Sequence, residues 1–121
     1  MESGQITDGQ ITASSEYSPT NASYYGRLHH PETASKAGGW SASTNDVNQW
    51  LQIDLADPQI QVTRVATQGR DQHSHRTTKY KLQYSNTSGS FQYYREQGQN
   101  NDKVKCTQTT EKPKKMFAAL F

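Results

Sequence analysis

The chemistry-bearing residues crowd into one stretch, Gly69-Arg70-Asp71-Gln72-His73-Ser74-His75-Arg76-Thr77-Thr78. Arg70 and Arg76 offer planar, paired N–H donors that suit carboxylates, phosphates or sugar hydroxyls. His73 and His75 stand two apart, a spacing that puts both rings on one side of an extended chain and makes a transition-metal site conceivable. Such a site needs further ligands, and no cysteine or carboxylate pair at metal-ligand spacing accompanies the histidines. Three readings stay open for Arg70, Asp71, His73, His75 and Arg76: a solvated loop, a polar ligand contact, or a metal. A second group is Tyr17, Tyr24 and Tyr25, in the polar stretch Glu16 to Gly26. Tyrosine and arginine both make good anchors for protein or sugar ligands. Trp40 and Trp50 read as structural, because a tryptophan in an alternating strand is ordinarily half-buried.

No catalytic pattern joins them. The chain lacks Gly-x-Ser-x-Gly, His-Glu-x-x-His and a phosphate loop. Its Ser, His and Asp residues have no spacing that would bring them within reach of one another. A non-enzymatic protein is expected.

Strands must position these groups. Trp50-Leu51-Gln52-Ile53-Asp54-Leu55 alternates with period two, and Leu51, Ile53 and Leu55 share one face. Asp57-Pro58 stops it, and a second strand is expected over Ile60–Thr67. Tyr80–Ser85 predicts another strand, with Tyr80, Leu82 and Tyr84 on one face. Asn86 to Ser90 predicts a hairpin turn, with Phe91–Arg95 pairing back. Ile6 to Ser15 reads as an opening strand pair or edge. Short one-sided strands of this kind belong to an antiparallel all-β domain. Between them run long loops, from Glu16 to Gly26, His29 to Asn48 and Gly69 to Thr78. Loops this long inside a small domain are usually functional.

At 121 residues the chain makes one domain at most, and its hydrophobic share of 31% is low. The net charge of +2 hides an asymmetry: residues 1–60 carry −5 and residues 61–121 carry +7. The bases are scattered rather than gathered on one motif, so no nucleic-acid partner is expected. No run is long enough for a transmembrane helix, and no signal peptide opens the chain. Cys106 is the single cysteine and has no internal partner. Asn21-Ala22-Ser23 and Asn86-Thr87-Ser88 fit the glycosylation pattern, which makes Asn21 and Asn86 candidate acceptors.

Six words of the sequence, in order, resemble the discoidin or coagulation factor V/VIII type C domain family. They are Ile11-Thr12-Ala13-Ser14-Ser15, Arg27-Leu28, Gly39-Trp40-Ser41-Ala42, Asn48-Gln49-Trp50-Leu51-Gln52-Ile53-Asp54-Leu55, Thr67-Gln68-Gly69-Arg70 and Tyr80-Lys81-Leu82-Gln83-Tyr84-Ser85. The resemblance implies an all-β, discoidin-like jelly-roll β-sandwich whose end loops bind a ligand. It implies an extracellular, secreted or cell-surface setting and a role in adhesion. The implied partner is a glycan or a cell-surface or matrix protein. Anionic phospholipid headgroups are the alternative, as is a carbohydrate-targeting accessory module of a larger enzyme. Family members that enter bilayers carry apolar loop tips. The tips here hold Glu16, Tyr17, Ser18, Pro19 and Thr20, and the third loop holds His and Arg, which argues against deep insertion. Calcium occurs in the wider fold; Asp8 and Asp46 are its candidate ligands here.

The resemblance covers residues 1–104 as a partial domain. Residues 105–121 read as a non-homologous, disordered tail, because Lys105–Lys115 has no β period and the family's closing strands and paired cysteines are absent. The sandwich is therefore expected to be incomplete at its C-terminus and poorly folded alone.

Overall fold

The computed structural model describes residues 4–57, 60, 62, 64–85 and 90–94, and the backbone of 115–120. Five strands form a single sheet: β1 (Ile11–Ala13), β2 (Trp50–Asp54), β3 (Tyr80–Ser85), β4 (Gln92–Tyr93) and β5 (Lys115–Leu120). Their order across the sheet is β1-β2-β5-β3-β4, and every neighbouring pair is antiparallel.

The last strand in sequence is thus the middle strand in space. Leu51 stands opposite Ala118 and Ile53 opposite Met116 on one side of β5; Leu82 stands opposite Ala118 on the other. Lys115–Leu120, read from the sequence as part of a disordered tail, supplies this strand. Met116-Phe117-Ala118-Ala119-Leu120 is continuously apolar. A strand between two others need not alternate, so a period-two search passes over it.

β2 and β3 fall where alternation places them. β4 is shorter than the Phe91–Arg95 expected, pairing only at Gln83–Tyr93 and Tyr84–Gln92; the hairpin turn lies outside the described residues. Ile60–Thr67 differs more: none of its described residues is in a strand. Ile60, Val62 and Val65 pack on the core without sheet hydrogen bonding in a ladder. Of the two readings of Ile6 to Ser15, the edge holds rather than the strand pair: Ile11–Ala13 is the edge strand β1. Thr7 and Gln10 close a capping box around a 3-10 turn, Asp8–Gln10, which feeds directly into β1.

The core is small. Ile6, Ile11, Leu55 and Leu82 are buried, and Tyr24, Leu51, Ile53 and Tyr94 lean on them. Ile11 pairs across the ladder with Ile53, which puts the alternating face of β2 inward as its sequence requires. Ala56 ends β2 in a tight three-residue turn, with φ of 59° and a hydrogen bond from Asp57 N to Leu55 O at 2.6 Å.

The register decides where the loops go. Ala13, at the end of β1, lies opposite Leu51, at the start of β2; Tyr80, at the start of β3, lies opposite Leu120. β2 and β3 therefore begin at the same end of the sheet. The chain between Ser14 and Gln49 leaves and returns at that end, and the stretch before Tyr80 arrives there.

Candidate functional site

Two clasps build this end. In the first, Ser14 N donates to Trp50 O at 3.0 Å, and Ser14 and Ser15 hydroxyls donate to Gln49 Oε1, both at 2.7 Å. Trp40 Nε1 donates to Ser15 O at 2.9 Å, and Tyr17 N donates to Ser41 O at 2.8 Å. The half-buried indole of Trp40 is a structural tie, as expected. Asp46 accepts from Asn48 N, Gln49 Nε2 and Thr44 Oγ1, and these donors hold its carboxyl below the usual range.

The second clasp centres on Glu32, a residue that no motif in the sequence singles out. Arg70 grips its carboxylate with both arms of the guanidinium, at 3.1 and 3.2 Å. His73 Nε2 lies 3.1 Å from Glu32 Oε1, and Gly38 N donates to Oε2 at 3.4 Å. Partial burial pushes the Glu32 carboxyl up, but the Arg70, His73 and Gly38 hydrogen bonds outweigh it and hold the group below the ordinary carboxylate range. Asp71 completes the joint: its Oδ2 accepts from Glu32 N at 3.0 Å, and its own N–H donates to Gly38 O at 3.2 Å. The loop of 69–78 is thereby bolted onto the Glu32–Gly38 segment. Its own turn is tight, with Arg70 N donating to His75 O at 2.9 Å and Gln72 at φ 61°.

The expected site residues separate accordingly. Arg70 and Asp71 are only part-exposed, and their polar groups are engaged within the protein. His73 and His75 stack at 5.6 Å between ring centroids and lie exposed. Arg76 is exposed and makes no hydrogen bond or ion pair with the described residues. Tyr17 is 71% exposed. It borders a shallow concavity with Glu16, Ser18, Pro19, Ala22 and Tyr24. Tyr24 leans on the core, and its hydroxyl is pushed up by a hydrogen bond with Tyr25 and by burial. Tyr25 is buried, its ring stacked on His30 at 4.7 Å.

Asn21, a candidate glycosylation acceptor, is turned inward. Its side chain is 5% exposed, accepts from Ser18 Oγ at 2.9 Å and donates to Ser41 Oγ at 3.3 Å. The other acceptor, Asn86, lies outside the described residues. Asp8 forms an ion pair with Arg27 at 2.7 Å rather than standing open to calcium. Among the described residues, no three His, Cys, Asp or Glu side chains converge as a metal site.

A β-sheet that gathers its long loops at one end, tied by side-chain clasps, defines a loop-presenting β domain. The chain belongs to the F5/8 type C domain family, whose profile matches residues 10–117. It is 38% identical over 109 residues to the human EGF-like repeat and discoidin I-like domain-containing protein 3, covering 86% of this chain and 22% of that one. It is 34% identical over 103 residues to rat lactadherin, covering 81% of this chain and 24% of that protein. The chain thus spans about a quarter of the length of these relatives. Among solved structures, it resembles discoidin II of Dictyostelium discoideum with a TM-score of 0.64 at 18% identity, covering 91% of this chain and 48% of the other. The fold is accordingly the all-β, discoidin-like jelly roll. The family match also runs past Val104, in keeping with the place of Lys115–Leu120 in the sheet.

Proposed function

We propose that this chain is a non-enzymatic extracellular recognition module, acting in cell-surface or matrix adhesion through the loop end of its sheet. The observation that carries this reading is the division of labour within those loops. Arg70, Asp71, His73 and Glu32 lock the loops together, while Tyr17, His75 and Arg76 remain on the outside. A preorganised frame with a few exposed polar and aromatic groups is what selective recognition at modest entropic cost requires. Arg76 supplies the paired N–H donors, Tyr17 the flat amphipathic surface. The ligand is a glycan or a protein at a cell surface or in matrix.

The names of the relatives support this setting: two of them carry discoidin-like domains beside EGF-like repeats or CUB and LCCL domains, an arrangement suited to adhesion. The test is a glycan array and an immobilised matrix-protein panel probed with the parent chain and with Arg76→Ala and Tyr17→Ala variants. Each substitution should weaken binding by about 1–3 kcal/mol, the range for a lost charged hydrogen bond or an aromatic anchor. Undiminished binding by the double variant would place the ligand elsewhere. Binding only to phosphatidylserine vesicles, lost at high salt, would select the headgroup alternative instead.

A further inference from the structure

His30 is a half-buried titratable group that no clasp uses. Its ring stacks on Tyr25 with centroids 4.7 Å apart and planes 17° from parallel. Its Nε2 is sealed from solvent without a hydrogen-bond partner. Among the described residues it is the one buried side-chain nitrogen or oxygen in that position. A neutral ring tolerates this; a cation there would lack both water and an acceptor.

The neighbours make the cation worse placed still. Lys36 lies over the same Tyr25 ring, with Nζ 6.0 Å from its centroid. Lys36 and Arg27 both oppose a charge on His30, and Asp8 alone favours one. Asp8 is already paired with Arg27 at 2.7 Å, so its help is shared. Tyr25 contributes a neutral ring face.

His30 also sits where movement would matter. The chain that follows carries Glu32, the residue holding Arg70 and His73. It is pinned by Ala37 N donating to Thr20 O at 2.8 Å and by the Thr33–Lys36 bridge. We propose that His30 is an acid-responsive latch: as a neutral ring it seats residues 27–37 against Tyr25, and on protonation it releases that segment and loosens the joint between the loops.

The direction follows from linkage. Burial first, then Lys36 and Arg27, lower the His30 pKa below the ordinary histidine value. The unfolded or released chain therefore binds the proton more readily than the seated one. The latch is fully set above the ordinary value, about 6.5, and weakens as pH falls below it, the span of endosomal or inflamed extracellular acidity. His73 sits against Glu32 in the same joint. The two histidines are separable by substitution.

The experiment is amide hydrogen exchange of the parent chain at about pH 7.5 and about pH 5, corrected for intrinsic rates, together with an NMR titration of the His30 ring. In the parent, the hydrogen-bonded amides of Glu32, Thr33 and Ala37 should exchange faster in acid, because the released segment takes up the proton more readily than the seated one. The His30→Phe variant keeps an aromatic ring on Tyr25 and removes the proton; it should lose this response, whereas His73→Gln should keep it. An equal acid response in His30→Phe would overturn the proposal. Should that variant not fold, the ring titration decides: a His30 that ionises in the ordinary histidine range without faster exchange of these amides overturns it equally.

Discussion

Gly38 is the narrowest point of the loop joint, and a single methyl group tests the joint's importance. A Cβ added there would lie 2.5 Å from Asp71 Cβ, 3.0 Å from Asp71 N and 3.1 Å from Asp71 Cα. Carbon atoms in contact normally sit about 3.5–4.0 Å apart, so Asp71 must retreat by about 1 Å or more. None of the three atoms is the end of a flexible side chain; the loop backbone itself must move. That shift would stretch the hydrogen bond from Asp71 N to Gly38 O, now 3.2 Å, and the one from Gly38 N to Glu32 Oε2, now 3.4 Å. Overpacking of this kind costs about 1–3 kcal/mol. Gly38 does not use a left-handed backbone, so the cost is steric rather than conformational. For a domain of this size, about 2 kcal/mol lowers the melting midpoint by roughly 8 °C. The assay is a thermal melt of Gly38→Ala beside Gly9→Ala, whose added Cβ meets nothing within 4 Å. Two superimposable melts would refute the close approach of the Glu32–Gly38 segment to the third loop, and with it the preorganised site.

Two further outcomes are expected. Peptide mapping of the chain secreted from eukaryotic cells should find Asn21 bare, and Asn21→Ala should cost about 1–3 kcal/mol because its buried hydrogen bonds to Ser18 and Ser41 are lost; a glycopeptide at Asn21 would contradict its inward placement. Ala56 holds φ at 59° in the turn after β2, so Ala56→Gly should stabilise the chain by about 1 kcal/mol; a lower denaturant midpoint in that variant would show the turn to be relaxed.

The sequence alone determined the fold class and the identity of two central strands. Alternation in Leu51, Ile53 and Leu55 reports a sheet with one wet and one dry face, and that information is local. The third loop was legible as a cluster of arginine, histidine and aspartate side chains within ten residues. What the sequence did not determine is which of those groups face outward. Arg70 and Arg76 look equivalent in a string; only the packing of Glu32 against the loop makes one a structural tie and leaves the other exposed. Asn21 and Asn86 likewise share a motif, and burial of the first is a property of its hydrogen bonds to Ser18 and Ser41, the latter twenty residues away. The place of Lys115–Leu120 was hidden for a related reason. A run of apolar residues carries no period, and its role follows from the two open strand edges, β2 and β3, that it joins. Pairing between strands distant in sequence is a matter of closure in three dimensions and leaves no local trace.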